Sequence, residues 1–292
     1  MNLWQQTWRL WQKHPRERAK LVLGWLFYRR ATQQWLSYLR ADPLLWDQVA
    51  EFPKLVTRIY RPYALGGLSC RERVAHMVQH HDLLRQQGLR ALLERSAQEP
   101  LTMLKLPVKG EGAAEVRLQS LHDGHREGET HLQFYWNGEW LYSLSFLLRS
   151  RQDRLQMLIT RLQGSNQGAS RDWIRQATKG MHGCRPTVML EQLARQLAQT
   201  AGCQEVLLVS HRMRVALNPM RRLRIKTDLE ALWAELGAEV DAQGFFRLSP
   251  VVEVAQDFSA VASNKRAEAR RKAELIGQSL RELDAQLRAC QA

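Results

Sequence analysis

The chain has 292 residues, 45% of them hydrophobic, which is enough to bury one large core or two ordinary ones and excludes a disordered chain. Its 43 Lys and Arg against 29 Asp and Glu give a formal charge of +14, a balance that favours acidic partners such as anionic lipid, nucleic acid or phosphorylated small molecules. The four cysteines (Cys70, Cys184, Cys203 and Cys290) form no C-x-x-C pair and no zinc spacing, so they read as free thiols of a reducing compartment.

Trp4, Trp8 and Trp11 recur at i, i+4, i+7, the spacing of one helical face. With the Lys and Arg of the first 40 residues they allow two readings: packing on the rest of the protein, or peripheral contact with an anionic membrane. The apolar run Leu21 to Tyr28 contains a glycine, ends in Arg29-Arg30 and lacks a cleavage site, so no signal peptide is expected. No run is long enough to span a bilayer, and the expected location is the cytoplasm, with contact at the inner membrane left open.

Residues 1–98 read as a helical region. Ser69 to Glu72 has the form of a capping box ahead of the apolar Val74, Met77 and Val78. His76, His80 and His81 sit at near-helical spacing, but no H-E-x-x-H pattern accompanies them; surface or capping histidines are expected and no metal. From Leu101 the periodicity turns to strands: Leu101–Lys109, Glu115–Ser120, His131–Trp136, Glu139–Leu148 and Leu155–Thr160. Asn137-Gly138 fits a two-residue type I′ turn, a register that sets Tyr135 opposite Trp140 and Phe134 opposite Leu141.

Thr178 to Ser210 is the organising stretch. A glycine-bearing loop with Gly180 and Gly183 leads to a helix begun by Pro186, with Met189, Leu190, Leu193, Leu197 and Ala201 on its apolar face. Gly202 ends it, and the buried strand Val206–Val209 follows. The N-terminus of such a helix is a ready anion site. A second helix has a capping box at Thr227–Glu230 and the apolar face Leu229, Leu232, Trp233 and Leu236. Strands are expected at Phe245–Leu248 and Val251–Val254, then a basic helix from Ser259.

This order of elements resembles the GNAT N-acetyltransferase superfamily. The fold expected is α+β: a GNAT-like mixed β-sheet flanked by helices over residues 99–258, preceded by the helical region and closed by a basic helix over 259–292. The resemblance implies an acyl-CoA cradle at Lys179, Gly180, Gly183 and Arg185, with Ser210 at the end of the following strand. It also implies a base to take a proton from an amine, for which His182, His211 and Glu139 are candidates. Pro186 removes one N–H donor from that cradle.

Several motifs in order resemble the VirK/YbjX family of bacterial proteins: CRERVAHMVQHHDLL at Cys70–Leu84, HLQFYWNGEWLYSLSF, LITRLQG, TKGMHGCRPTVMLEQLARQLA, ALWAELGAEVDAQGFFRLSP and KRAEARRK. That resemblance implies a role in virulence or stress tolerance in a Gram-negative bacterium, including survival of cationic antimicrobial peptides, and no established reaction. The alternative to acyl transfer is a non-enzymatic binding module for an anionic ligand. It would use Arg185 and the crowd of Arg212, Arg214, Arg221, Arg222, Arg224 and Lys226. No zinc finger, RNP motif or OB signature points to sequence-specific nucleic-acid recognition.

Overall fold

The computed structural model describes residues 14–121, 126–164, 171–215 and 229–291. The expectations for Trp4, Trp8, Trp11, Arg221, Arg222, Arg224, Lys226 and Thr227 lie outside these residues.

The N-terminal third is helical. Helix α1 (Pro15–Ala41) opens on a proline, whose missing N–H costs nothing in the first turn, and is kinked at Tyr28. There the Thr32 hydroxyl donates to the Tyr28 carbonyl at 3.0 Å, a back-bond that competes with the helix ladder. Short helices α2 (Pro43–Glu51) and α3 (Lys54–Thr57) and a 3₁₀ turn (Arg58–Tyr60) lead to α4 (Cys70–Gln86) and α5 (Arg90–Gln98). The Ser69–Glu72 capping box forms in both directions: Ser69 N–H donates to Glu72 Oε2 at 2.7 Å, and Glu72 N–H to Ser69 Oγ at 3.3 Å. Helices α4 and α5 pack on the sheet through β4 and β2, and α1 packs on α4.

The sheet has the order β1-β2-β3-β4-β5-β6-β8-β7. Strands β1 (Leu101–Leu106), β2 (Ala114–Ser120), β3 (Thr130–Trp136), β4 (Glu139–Arg151) and β5 (Arg154–Gly164) form an antiparallel meander. β1 stops before Pro107, which has no ladder donor, three residues short of the expected end. β5 then pairs parallel with β6 (Glu205–Leu208) after a crossover through α6 (Arg171–Gly180) and α7 (Pro186–Thr200), the connection a parallel pair requires. β8 (Phe246–Leu248) is antiparallel to both β6 and β7 (Glu239–Val240). Helix α8 (Leu229–Glu235) precedes β7, and α9 (Ser263–Gln291) lies along α7 and β1.

The architecture is the mixed α+β one expected, with local corrections. Asn137 and Gly138 take φ of 50° and 82°, as a type I′ turn needs, and Tyr135 faces Trp140. Phe134 faces Tyr142, not Leu141: a bulge makes Leu141 the extra residue. Residues 251–254 form no strand. The Arg195 guanidinium takes the carbonyls of Ser249 and Val251, acceptors a ladder would have used. The glycine-bearing loop is shorter than expected, because Thr178, Lys179 and Gly180 are the last turn of α6.

Candidate functional site

The turn from α6 into α7 closes on itself. His182 and Gly183 both have positive φ, 53° and 78°. Gly183 N–H donates to Thr178 O at 2.8 Å, His182 N–H to Lys179 O at 3.3 Å and Cys184 N–H to Met181 O at 2.9 Å. These three N–H groups therefore end α6 and leave nothing for a ligand. Gly180 is buried, and a Cβ there would lie 2.6 Å from the Trp136 ring, so its glycine permits close packing of α6 on β3.

The first turn of α7 differs. No side chain caps it, and no acidic residue occupies it. Beside it is a cleft of about 390 Å³ lined by Tyr142, Ile174, Arg175, Thr178, Lys179, Arg185, Pro186, Thr187 and Glu268. Three cations thus surround a helix N-terminus whose orphan N–H groups carry partial positive charge. Arg185 Nη2 also lies 2.5 Å from Glu235 Oε1, both side chains being largely exposed, and this contact holds the Glu235 carboxyl below its ordinary pKa. Burial raises the Tyr142 phenol, and the Arg185 charge opposes it. The cleft's lining sets these three cations against one carboxylate, Glu268. Of the expected cradle it brings together Lys179 and Arg185.

The other candidates lie elsewhere. Ser210 is at the C-terminal end of β6, where α/β folds bind ligands, and its carbonyl accepts from Met213 N–H. His211 opens a 3₁₀ turn, and its backbone N–H donates to Glu230 Oε1 at 2.8 Å. Glu139 is exposed at the hairpin tip. His80 and His81 are fully buried, His80 against the sheet and His81 stacked on Tyr38 of α1, a correction to the expected surface histidines. Among the described residues no cluster of three His, Cys, Asp or Glu suits a metal.

Sequence reasoning missed a second constellation. On the face of the sheet opposite the cleft, the partners Gln119, His131, Ser145 and Arg161 form one row across β2 to β5. Arg117, Gln133, Ser143 and Gln163 form the next. Neighbours on a strand point to opposite faces, so Ser143 belongs to this face while Tyr142 lines the cleft. His131 Nδ1 and Ser145 Oγ are 2.8 Å apart, Gln133 Nε2 donates to Gln119 Oε1 at 2.9 Å, and Arg117 stacks on Tyr135 at 4.2 Å. His131, Gln133, Ser143 and Ser145 are buried. The alternation that marks the strands puts these polar residues on one face, but says nothing of what covers it; Arg117, Gln119, Arg161 and Gln163 at its edges are half-buried.

A family profile described as "Protein of unknown function (DUF535)" matches residues 10–285. The chain belongs to the DUF535 family. It is 28% identical over 265 residues to the uncharacterized protein YbjX of Escherichia coli (strain K12), covering 89% of this chain and 80% of that protein. It is 28% identical over 142 residues to an uncharacterized protein of Haemophilus influenzae, covering 49% of this chain and 47% of the relative. No solved structure matches. The resemblance to VirK/YbjX proteins thus holds at the level of the family, and DUF535 carries no activity in its description. In this DUF535 chain no helix among the described residues is long and apolar enough to cross a membrane.

Proposed function

We propose that this DUF535 protein binds a phosphate-bearing small molecule in the cleft at the start of α7, and that acyl-CoA is the favoured occupant. The carrying observation is the convergence of Arg175, Lys179 and Arg185 on an uncapped helix N-terminus. Acyl-CoA is favoured because α7 lies in the crossover between β5 and β6, the parallel pair, which is where GNAT proteins hold a diphosphate. Acyl transfer to an amine is the activity this reading favours, with His211 or His182 as proton acceptor. A role in stress tolerance or virulence, in the cytoplasm or at the inner membrane, is the setting the family resemblance suggests. Thermal shift with coenzyme A, acetyl-CoA and adenosine tests the reading, since a ligand of the folded state raises the melting temperature. Coenzyme A and acetyl-CoA should stabilise, adenosine should not, and Arg185→Gln with Lys179→Gln should abolish the shift. Folded wild type with no shift at millimolar coenzyme A removes it.

A second reading, peripheral contact with an anionic membrane, is favoured by Leu23, Leu26, Phe27 and Tyr28. These four large apolar side chains are exposed on adjacent turns of α1, beside Arg29 and Arg30.

A further inference from the structure

The two polar rows on β2 to β5 pose a physical problem. A buried polar group costs free energy unless it is hydrogen-bonded, and most of this face meets that demand internally. His131 is paired with Ser145, Gln119 with Gln133, and the Tyr135 hydroxyl donates to Gln133 Oε1 at 3.1 Å. Two groups do not. Ser143 is 1% exposed and its Oγ has no partner among the described residues; Arg214 is 8% exposed and the same holds for its Nη1.

Charge points the same way. Arg161 belongs to the first polar row, directly opposite Ser145. Its Nε donates to Gln163 Oε1 at 2.8 Å, and its Nη1 is 3.5 Å from Glu127 Oε2. Burial lowers the Arg214 pKa most, the charge of Arg161 lowers it further, and Glu127 opposes both. Glu127 pairs with Arg161, and Arg214 forms no ion pair among the described residues, so a positive charge is left over beside this face. Such a surplus is expensive without a counter-ion.

We propose that this face holds an oxyanion, the phosphate or carboxylate of a polar small molecule, bound by Arg214 and Arg161 with the Ser143 hydroxyl as a neutral donor. The anion supplies the missing charge and a partner for Ser143 Oγ and Arg214 Nη1. Arginine suits the role because its planar fork matches both phosphate and carboxylate. The internally bonded glutamines and the His131–Ser145 pair hold the frame on rigid strands and need not move when the ligand enters. This site is separate from the cleft, because Tyr142 and Ser143 point to opposite faces of β4.

Inorganic phosphate and sodium acetate are the probes, each titrated into the full-length protein against sodium chloride of equal ionic strength, with calorimetric and melting readouts. Wild type should bind at least one of the two, and which one distinguishes phosphate from carboxylate ligands. Arg185→Gln should remove at most a separate event in the cleft and leave in place the component that depends on Arg214. Arg214→Gln should weaken it on the order of tenfold, the loss of one charge-assisted hydrogen bond, and Ser143→Ala by less. If Arg214→Gln does not fold, Ser143→Ala and Arg161→Lys interrogate the same site. The proposal is overturned by no binding of either anion to wild type. It is equally overturned by unchanged binding in the folded variants of this face, or by binding lost in Arg185→Gln alone, which places the ion in the cleft.

Discussion

Arg58 Nη1 lies 2.7 Å from both carboxylate oxygens of Glu129, and the two side chains are 5% and 0% exposed. Arg58 sits on the 3₁₀ turn of the helical region and Glu129 immediately before β3, so one buried ion pair ties the helices to the sheet. Burial alone would raise the Glu129 pKa; the charges of Arg58 and His81 overcome it and hold it at about 2. Removing one partner strands the other charge, so Glu129→Gln should cost about 3–5 kcal/mol in urea unfolding. Replacing both by apolar residues of similar size should recover much of that loss. A single-variant cost under about 1 kcal/mol would contradict the account, since that is the range of exposed pairs.

The same pair and its neighbour His80 set the acid response. His80 Nδ1 accepts from Leu148 N–H at 2.9 Å and its Nε2 is 3.0 Å from Thr130 Oγ1, which assigns the neutral tautomer with the proton on Nε2. Burial pushes its pKa down from 6.5 to about 3, and the neighbouring His81 adds to this. A depressed histidine pKa means that the unfolded chain takes up protons first, so stability is full above pH 6.5 and falls as the pH drops towards 3. At pH 5 the loss from His80 is about 2 kcal/mol. The Glu129 contribution has its own window: present above the ordinary 4.5, lost as the pH falls towards 2. Melting temperature followed from pH 7 to 4 should fall in wild type and fall less in His80→Gln. Parallel curves for the two proteins would refute the assignment.

Elements with a local cause were legible in the sequence. The Asn137-Gly138 turn needs positive φ at two residues, and the Ser69–Glu72 box needs only three residues of spacing; both formed as read. The crossover from β5 through α7 to β6 followed from period and punctuation. What escaped depends on partners far along the chain. Nothing near Leu141 announces a bulge, and the Val251 carbonyl is taken by Arg195, 56 residues away. His80 reads as a surface group because its burial comes from Thr130 and Leu148 on the sheet, far along the chain. The polar rows escaped for a related reason: alternation reports which residues share a face, and only tertiary structure reports what covers it.

Two glycines of the organising stretch should fail differently. At Gly180 an added Cβ meets the Trp136 ring at 2.6 Å, so Gly180→Ala overpacks the α6–β3 contact and should cost about 1–3 kcal/mol. At Gly183 there is space, with Glu268 Oε1 at 3.7 Å, but φ is +78°, so Gly183→Ala should cost about 1–2 kcal/mol through backbone strain alone. Neither touches the cations of the cleft. Arg185→Gln is the complement: it removes an exposed pair with Glu235 and should shift stability by less than about 1 kcal/mol while weakening coenzyme A binding. Chemical denaturation beside a binding isotherm for each variant checks the separation. A folded Arg185→Gln that binds as wild type does would make Arg185 a surface ion pair and nothing more.

The last prediction concerns α1. Leu23, Leu26 and Phe27 are 56%, 70% and 75% exposed, on a helix whose opposite side buries Leu21, Trp35 and Leu36. Apolar side chains so placed contribute nothing to the core, so Leu26→Glu with Phe27→Glu should leave stability within about 0.5 kcal/mol of wild type. At a membrane they would enter the headgroup boundary, with Arg29 and Arg30 drawn to anionic lipid. Wild type should therefore sediment with phosphatidylglycerol vesicles more than with phosphatidylcholine, and salt should weaken the association by screening. The double variant should lose most of the apolar share while keeping its charge, so its residual binding should be the more salt-sensitive of the two. Sedimentation unaffected by the two glutamates, in a protein that melts as wild type does, would mean that this surface meets something other than lipid.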